Sequence, residues 1–185
     1  MELVFAAGMA VTMSAVAVPQ YLAAIDDFRA AGATRYISAR LQRARMEAVV
    51  RSTEVAMQFT ETKDGYRYAV YRDGNRNGVL MRDILDGIDR RIASVERLPD
   101  QFTGVDFGAI PGLPAVDVGD TPPGADPIRL GAGSFASFSA AGTSSSGTVY
   151  IRSRRGAQYA VRIFGETGKT RMLKFDRRTR KWRPL

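Results

Sequence analysis

ISARLQRARMEAVVRSTEVAMQF (residues 37–59) changes its period part-way along, and that change decides the fold. In the first part the apolar residues Ile37, Leu41, Ala44 and Ala48 recur at intervals of four, three and four, which marks one face of an α-helix. Arg43, Glu47 and Arg51 stand at successive i,i+4 positions on another side, where opposite charges pair along a solvated surface. From Thr53 the period is two. Val55, Met57 and Phe59 alternate, the turn KDG (63–65) follows, and Tyr66, Tyr68 and Val70 alternate again. An amphipathic helix thus runs straight into a β-hairpin.

Toward the N-terminus the helix-forming character continues through YLAAIDDFRAAGATRY (21–36) to Pro19, which predicts a kink without necessarily ending the helix. Before it, MELVFAAGMAVTMSAVAVPQ (1–20) opens an apolar run, Leu3 to Ile25, with no charge until Asp26. As a helix that run reaches about 35 Å, enough to cross a bilayer core of about 30 Å. The expectation is one helix of roughly fifty residues, apolar over 1–25 and amphipathic over 26–52. Glu2 heads the apolar part, and a carboxylate there needs a reason. Three readings compete. A secretory signal peptide would be cleaved after Ala17 at an Ala15-x-Ala17 site, but Glu2 stands where a positive n-region belongs. A plain membrane anchor is the second. The third is a helix that resides in the membrane and later packs among copies of similar helices, which suits the small residues Ala6, Ala10 and Ser14 at four-residue spacing.

Toward the C-terminus, residues 53–185 read as a β-rich domain. Strand-like pieces recur at 90–98, 102–108, 136–140, 147–153, 157–164 and 170–175, punctuated by Gly, Pro, Ser and Asp. IPGLPAVDVGDTPPGADPIRLGAG (110–133) lacks periodicity and reads as a long surface loop. The predicted class is α+β: a long N-terminal helix packed on antiparallel sheets.

The 185 residues contain neither cysteine nor histidine, which excludes disulfides, thiolate chemistry and histidine acid/base catalysis. GETGKT (165–170) lacks the spacing of a phosphate-binding loop, and no nucleophile with its base can be assembled, so no enzyme is expected. The net charge of +8, from 27 Lys+Arg against 19 Asp+Glu, favours polyanionic partners or simple solubility.

Two stretches could bind something. In DGNRNG (73–78), Asp73, Asn75 and Asn77 occupy positions 1, 3 and 5 of a calcium-loop pattern, with Gly78 at position 6. Position 12 is Ile84 instead of Glu, with Asp83 and Asp86 close enough to substitute. The alternative is a plain hairpin loop, and no cofactor other than calcium is suggested. Near the C-terminus Lys169, Arg171, Lys174, Arg177, Arg178, Arg180, Lys181 and Arg183 cluster around Phe175 and Trp182. Such a set neutralises phosphates and stacks on bases, or else forms a solvated basic edge.

An apolar helix headed by Glu2 with Pro19 seventeen residues later resembles the N-terminal helix of type IV pilins and type II secretion pseudopilins. LQRARMEAVVRSTEVAMQF (41–59), FSAAGTSSSGTVYIRS (138–153) and RIFGETGKTRM (162–172) resemble the GspH/FimT group of minor pseudopilins, in that order along the chain. The resemblance implies a pilin-like fold and a single-pass protein of the inner membrane with its globular domain in the periplasm. It further implies processing and methylation by prepilin peptidase, and partnership with other pilins or pseudopilins in a type IV pilus or secretion pseudopilus. Glu2 would pair with the α-ammonium of a neighbouring subunit in the filament core. Some members of the group bind DNA during uptake through a Gly-Arg-x-Arg segment, where Lys169 here replaces the first Arg and Arg171 matches the second. Two features depart from the pattern: only Met1 precedes Glu2, so the resemblance implies a truncated or late start, and the nearest cations, Arg29, Arg35 and Arg40, all follow the apolar run.

Overall fold

The computed structural model describes residues 2–131 and 133–185, with side chains described at Met9, Met13 and Ala15 and from Ala17 onward. Helix α1 (Glu2–Arg51) is continuous and passes through Pro19. It ends where the sequence changes period. Ser52 takes φ 52°, and the amides of Ser52 and Thr53 return to the carbonyls of Val49 and Ala48 at 3.2 Å, which closes the last turn with a left-handed residue.

Strand β1 (Val55–Thr62) then turns back as a hairpin with β2 (Gly65–Arg72), pairing Met57 with Val70 and Phe59 with Tyr68. The short helix α2 (Met81–Leu85), strands β3 (Arg90–Arg91) and β4 (Glu96–Arg97), and helix α3 (Leu98–Gln101) follow. Next come β5 (Val105–Phe107), β6 (Ile128–Leu130) and β7 (Phe135–Phe138). The chain ends with β8 (Gly147–Ser153), β9 (Gln158–Ile163), β10 (Thr170–Asp176) and β11 (Lys181–Pro184). One sheet has the order β3-β2-β1-β7, with β4 also on β2; the other runs β11-β10-β9-β8-β5, with β6 also on β8. All pairings are antiparallel. The α+β class and the antiparallel sheets are as expected.

The second half of α1 lies across both sheets. The stripe of Ile37, Leu41, Ala44 and Ala48 is buried, and Ala30 and Ala33 extend it toward the N-terminus. It meets Val55, Met57 and Phe59 of the first sheet and Ile151, Tyr159, Val161 and Ile163 of the second. Each fully buried Leu or Ile contributes about 1.5–3 kcal/mol. Small residues permit close approach: a Cβ on Gly32 would sit 3.1 Å from the Phe102 ring. Phe107 closes the core between the sheets, edge-on to Phe59 at 5.3 Å and to Tyr68 at 5.9 Å.

A polar clamp crosses this interface. Arg40 of α1 ion-pairs with Glu96 of β4, their side chains only 17% and 15% exposed. Tyr36 donates to the same carboxylate at 2.6 Å and Tyr68 at 3.0 Å. Burial pushes the Glu96 carboxyl up, but those two hydroxyls and the Arg40 charge outweigh it and hold it below the usual range.

Two expectations need correction. The piece at 90–98 forms two short strands rather than one, because after the Ile92 amide donates to Val70 O of β2 at 2.8 Å the chain leaves the sheet until β4. The segment 110–133 is not loop throughout. Ile128 and Leu130 face the core as β6, and Leu113 is buried against Tyr150, Ala160 and Phe175 on the outer face of the second sheet. That outer cluster also occupies Trp182, which packs on Phe175 at 5.3 Å and donates its indole N–H to Pro114 O at 3.1 Å. Phe175 is therefore buried in this face, and Trp182 packs half-buried against it.

Candidate functional site

The feature that distinguishes this molecule from an ordinary α+β domain is the point where α1 leaves it. Every residue from Ala17 to Ala24 is exposed, whereas Asp26, Ala30 and Ala31 are buried. Two carboxylates fix the exit. Asp26 accepts a short hydrogen bond from Ser153 Oγ and one from the Arg155 amide at 3.3 Å. Asp27 accepts from Tyr159 Oη at 2.9 Å and from Lys174 Nζ at 2.7 Å, and that ammonium lies 5.7 Å from the Tyr159 ring centre. Burial and the Asp27 carboxylate push the Tyr159 phenol well up, so it stays a donor at any ordinary pH.

Beyond this junction the exposed surface of α1 is mostly apolar, with Tyr21 at 68% exposure beside Val18 and Leu22, while Phe28, on the domain side of the junction, is also exposed. Pro19 is exposed on the same stretch. Glu2, the assembly candidate, lies outside the described residues as far as its side chain is concerned, as does most of the run before residue 17. Among the described residues, no helix is long and apolar enough to cross a membrane.

The eight C-terminal cations do not make one patch, because β10 carries them to opposite ends of the sheet. Its seven residues span roughly 20 Å. At one end Lys169 and Arg171 are exposed, near the turn where Gln42 Nε2 donates to Gly168 O at 3.0 Å. Among the described residues no carboxylate pairs with either cation. Arg171 stands opposite Arg162 of β9, and the row continues through Thr148 to Arg129 of β6. The β5–β6 loop covers that row with acids: Asp117 and Asp120 lie 2.7 and 3.2 Å from Arg162, and Asp126 lies 3.8 Å from Arg129.

At the other end, Lys174 is held by Asp27, and Arg183 by Asp176 at 2.8 Å. Arg177 donates to Gly156 O and Arg180 to Gly112 O, while Arg178 on the β10–β11 turn and Lys181 at the start of β11 are exposed. Asp176 caps that turn, accepting from the amides of Arg178 and Thr179. These bonds, Thr179 first, keep its carboxyl below the usual range.

The DGNRNG loop is tightly hydrogen-bonded within itself. Asp73 accepts from the amides of Asn75, Arg76 and Gly78 at 2.7 to 3.0 Å. Asn75 and Asn77 both donate their carboxamides to Asp83, at 3.0 and 2.8 Å, and Arg82 adds an ion pair at 3.0 Å. The sequence pattern brought Asp83 into consideration but missed Asp89, which is buried and accepts from the amides of Gly74 and Leu80. It missed Glu54 as well, which accepts from Val79 N. Among the described residues no group of three or more His, Cys, Asp or Glu is placed to hold a metal ion.

The hydrogen bonds from Asn77 and Asn75, with Arg82, hold the Asp83 carboxyl below its ordinary value. Its contribution to stability is therefore complete above the unfolded carboxylate value of about 4 and is lost as the pH falls through the lower folded one. An Asp83→Ala chain should melt roughly 5 °C lower at pH 7, with a smaller gap at pH 3. The same melts with and without added calcium read the cation question directly: a midpoint raised by calcium in the native chain and not in Asp83→Ala would mark a calcium loop.

A family model described as type II transport protein GspH matches residues 33–167, from the packed half of α1 through β9 to the turn before β10. No curated protein and no solved structure gives a significant match.

Proposed function

The chain belongs to the GspH family of type II transport proteins, the match taking in 33–167 of its 185 residues, and from that membership we propose that it works as a minor pseudopilin. The family is one of structural secretion subunits, not of enzymes. In this reading the first half of α1 anchors the chain in the inner membrane as a single pass, with the globular domain in the periplasm. Assembly then transfers that half into a filament, or into the complex that primes one, among the equivalent helices of other pseudopilins. Prepilin peptidase would prepare the terminus, and Glu2 would pair with a neighbouring subunit's ammonium.

One observation carries this reading: a single helix whose second half is locked into a domain core while the last part of its first half presents Val18, Tyr21 and Leu22 to the outside. An apolar surface of that kind on a rigid stalk is an element waiting for apolar surroundings. The test is type II secretion in a host lacking the native chain, supplied with the native or a Glu2-substituted protein.

A second reading, nucleic-acid capture on the same scaffold, is supported by the exposed Lys169 and Arg171, with which no carboxylate pairs among the described residues. It is weakened by the occupation of Phe175 and Trp182 in the outer cluster.

A further inference from the structure

We propose that the end of the globular domain from which α1 emerges is a contact surface for anionic phospholipid headgroups. The proposal rests on the membrane-anchor reading above and adds a partner for cations that the assembly role leaves unused. Strand β10 runs back along α1: its first residue, Thr170, meets Ser38 at 2.7 Å, and four residues later Lys174 meets Asp27. Those helix positions are separated by roughly 16 Å and the strand positions by roughly 13 Å, so the two elements are nearly antiparallel. Continuing about 10 Å past Lys174 brings the chain to the turn at 177–180. The turn therefore lies on the bilayer side of Asp27, and Arg177 lines a cleft with Ala23 and Ala24 of α1. The β8–β9 turn reaches the same level, since the Arg155 amide contacts Asp26.

With the apolar run from Leu3 to Ile25 spanning a hydrocarbon core of about 30 Å, Asp26 and Asp27 stand at its edge, and the turns fall within the headgroup layer. What they present there is positive. Arg154, Arg155, Arg177, Arg178, Arg180 and Lys181 are all exposed. Of the neighbouring carboxylates, Asp27 is paired with Lys174 and Asp176 with Arg183, whereas Asp26 is held by the neutral Ser153 hydroxyl and the Arg155 amide and keeps its charge, one negative group against the six exposed cations. The guanidinium groups of Arg177 and Arg180 bond to carbonyls, which orders them without cancelling their charge. A set of ordered forks facing a layer of phosphates suits bidentate phosphate recognition and attraction to an anionic leaflet. Lys169 and Arg171, a strand's length away, lie outside this layer.

The chain has no cysteine, so single cysteines report position cleanly. Full-length protein carrying Thr179→Cys, or Thr167→Cys as a control at the far end, would be labelled with a fluorophore. It would then be reconstituted into vesicles of phosphatidylcholine with or without 30% phosphatidylglycerol, each holding a nitroxide-headgroup lipid as quencher. The expected result is about twofold or greater quenching at 179 in the anionic vesicles, reduced at high salt and absent at 167. Combined replacement of Arg154, Arg155, Arg178 and Lys181 by Ala should remove the lipid dependence while leaving insertion intact. Equal, weak quenching at 179 in both vesicles, with the protein inserted, would overturn the lipid surface and leave the anchor standing. Failure to insert in either vesicle would overturn both. A label at 179 that ignores the bilayer but responds to duplex DNA would overturn the lipid surface in favour of a nucleic-acid one.

Discussion

A Glu2→Leu chain should reach the membrane at native abundance and fail in secretion, with exported substrate falling at least about tenfold, to the level of a host lacking the chain. Leucine makes the run more apolar, so insertion is not impaired. What disappears is the carboxylate that an assembling neighbour would neutralise. An ionised carboxylate in hydrocarbon costs several kcal/mol, and an ammonium supplied by the partner both offsets that cost and fixes the axial position at which it can do so. Asp at the same position keeps the charge but shortens the reach, and it should restore secretion in part. Secretion at native level from Glu2→Leu would remove Glu2 from the assembly account.

The largest effect on stability is expected at Glu96. Its carboxylate gathers Arg40, Tyr36, Tyr68 and Gln101 at the seam between α1 and the first sheet. Glu96→Gln keeps the volume and leaves the Arg40 guanidinium nearly buried without its counter-charge, and breaking a buried pair from one side costs about 3 kcal/mol or more. For a chain of this size that lowers the melting midpoint by roughly 10 °C. Because Glu96 titrates below its ordinary range in the folded protein, its contribution is complete above an unfolded value of about 4.3. It disappears as the pH falls through the folded value. The gap between native and Glu96→Gln melts should therefore be widest near neutrality and close toward pH 3. A Tyr68→Phe chain, losing one hydrogen bond and no charge, should fall only about 1–2 kcal/mol.

Local periodicity carried the helix, the hairpin and the buried stripe, because each is written within a few turns or residues of itself: Ile37, Leu41, Ala44 and Ala48 in one case, Phe59 and Tyr68 in the other. The junction was not legible. Asp26 and Asp27 stand out as the first charges after the apolar run, yet their partners Ser153 and Lys174 lie 127 and 147 residues away. The clamp on Glu96 hides in the same way, with Arg40 and Tyr36 56 and 60 residues distant. Strand β6 escaped notice because Ile128 and Leu130 are only two apolar residues, set in a Pro/Gly-rich stretch where short alternation gives little signal. The basic cluster misled in the opposite sense. Closeness in sequence became distance in space, since an extended strand separates Lys169 from Arg177 by more than the width of a helix.

In the pseudopilin reading, the exposed stretch of α1 from Ala17 to Ala24 packs against the helices of other pseudopilins. The most direct measurement of that packing is cysteine cross-linking in intact cells, which the absence of native cysteine makes unambiguous. Cysteines placed singly at Val18, Tyr21 and Leu22 should trap adducts with a pseudopilin bearing a cysteine at matching depth in its own helix. One at Ala33, buried against the sheets, should trap none. Secretion-competent cells in which none of the three exposed positions yields an adduct with any pseudopilin would contradict the account.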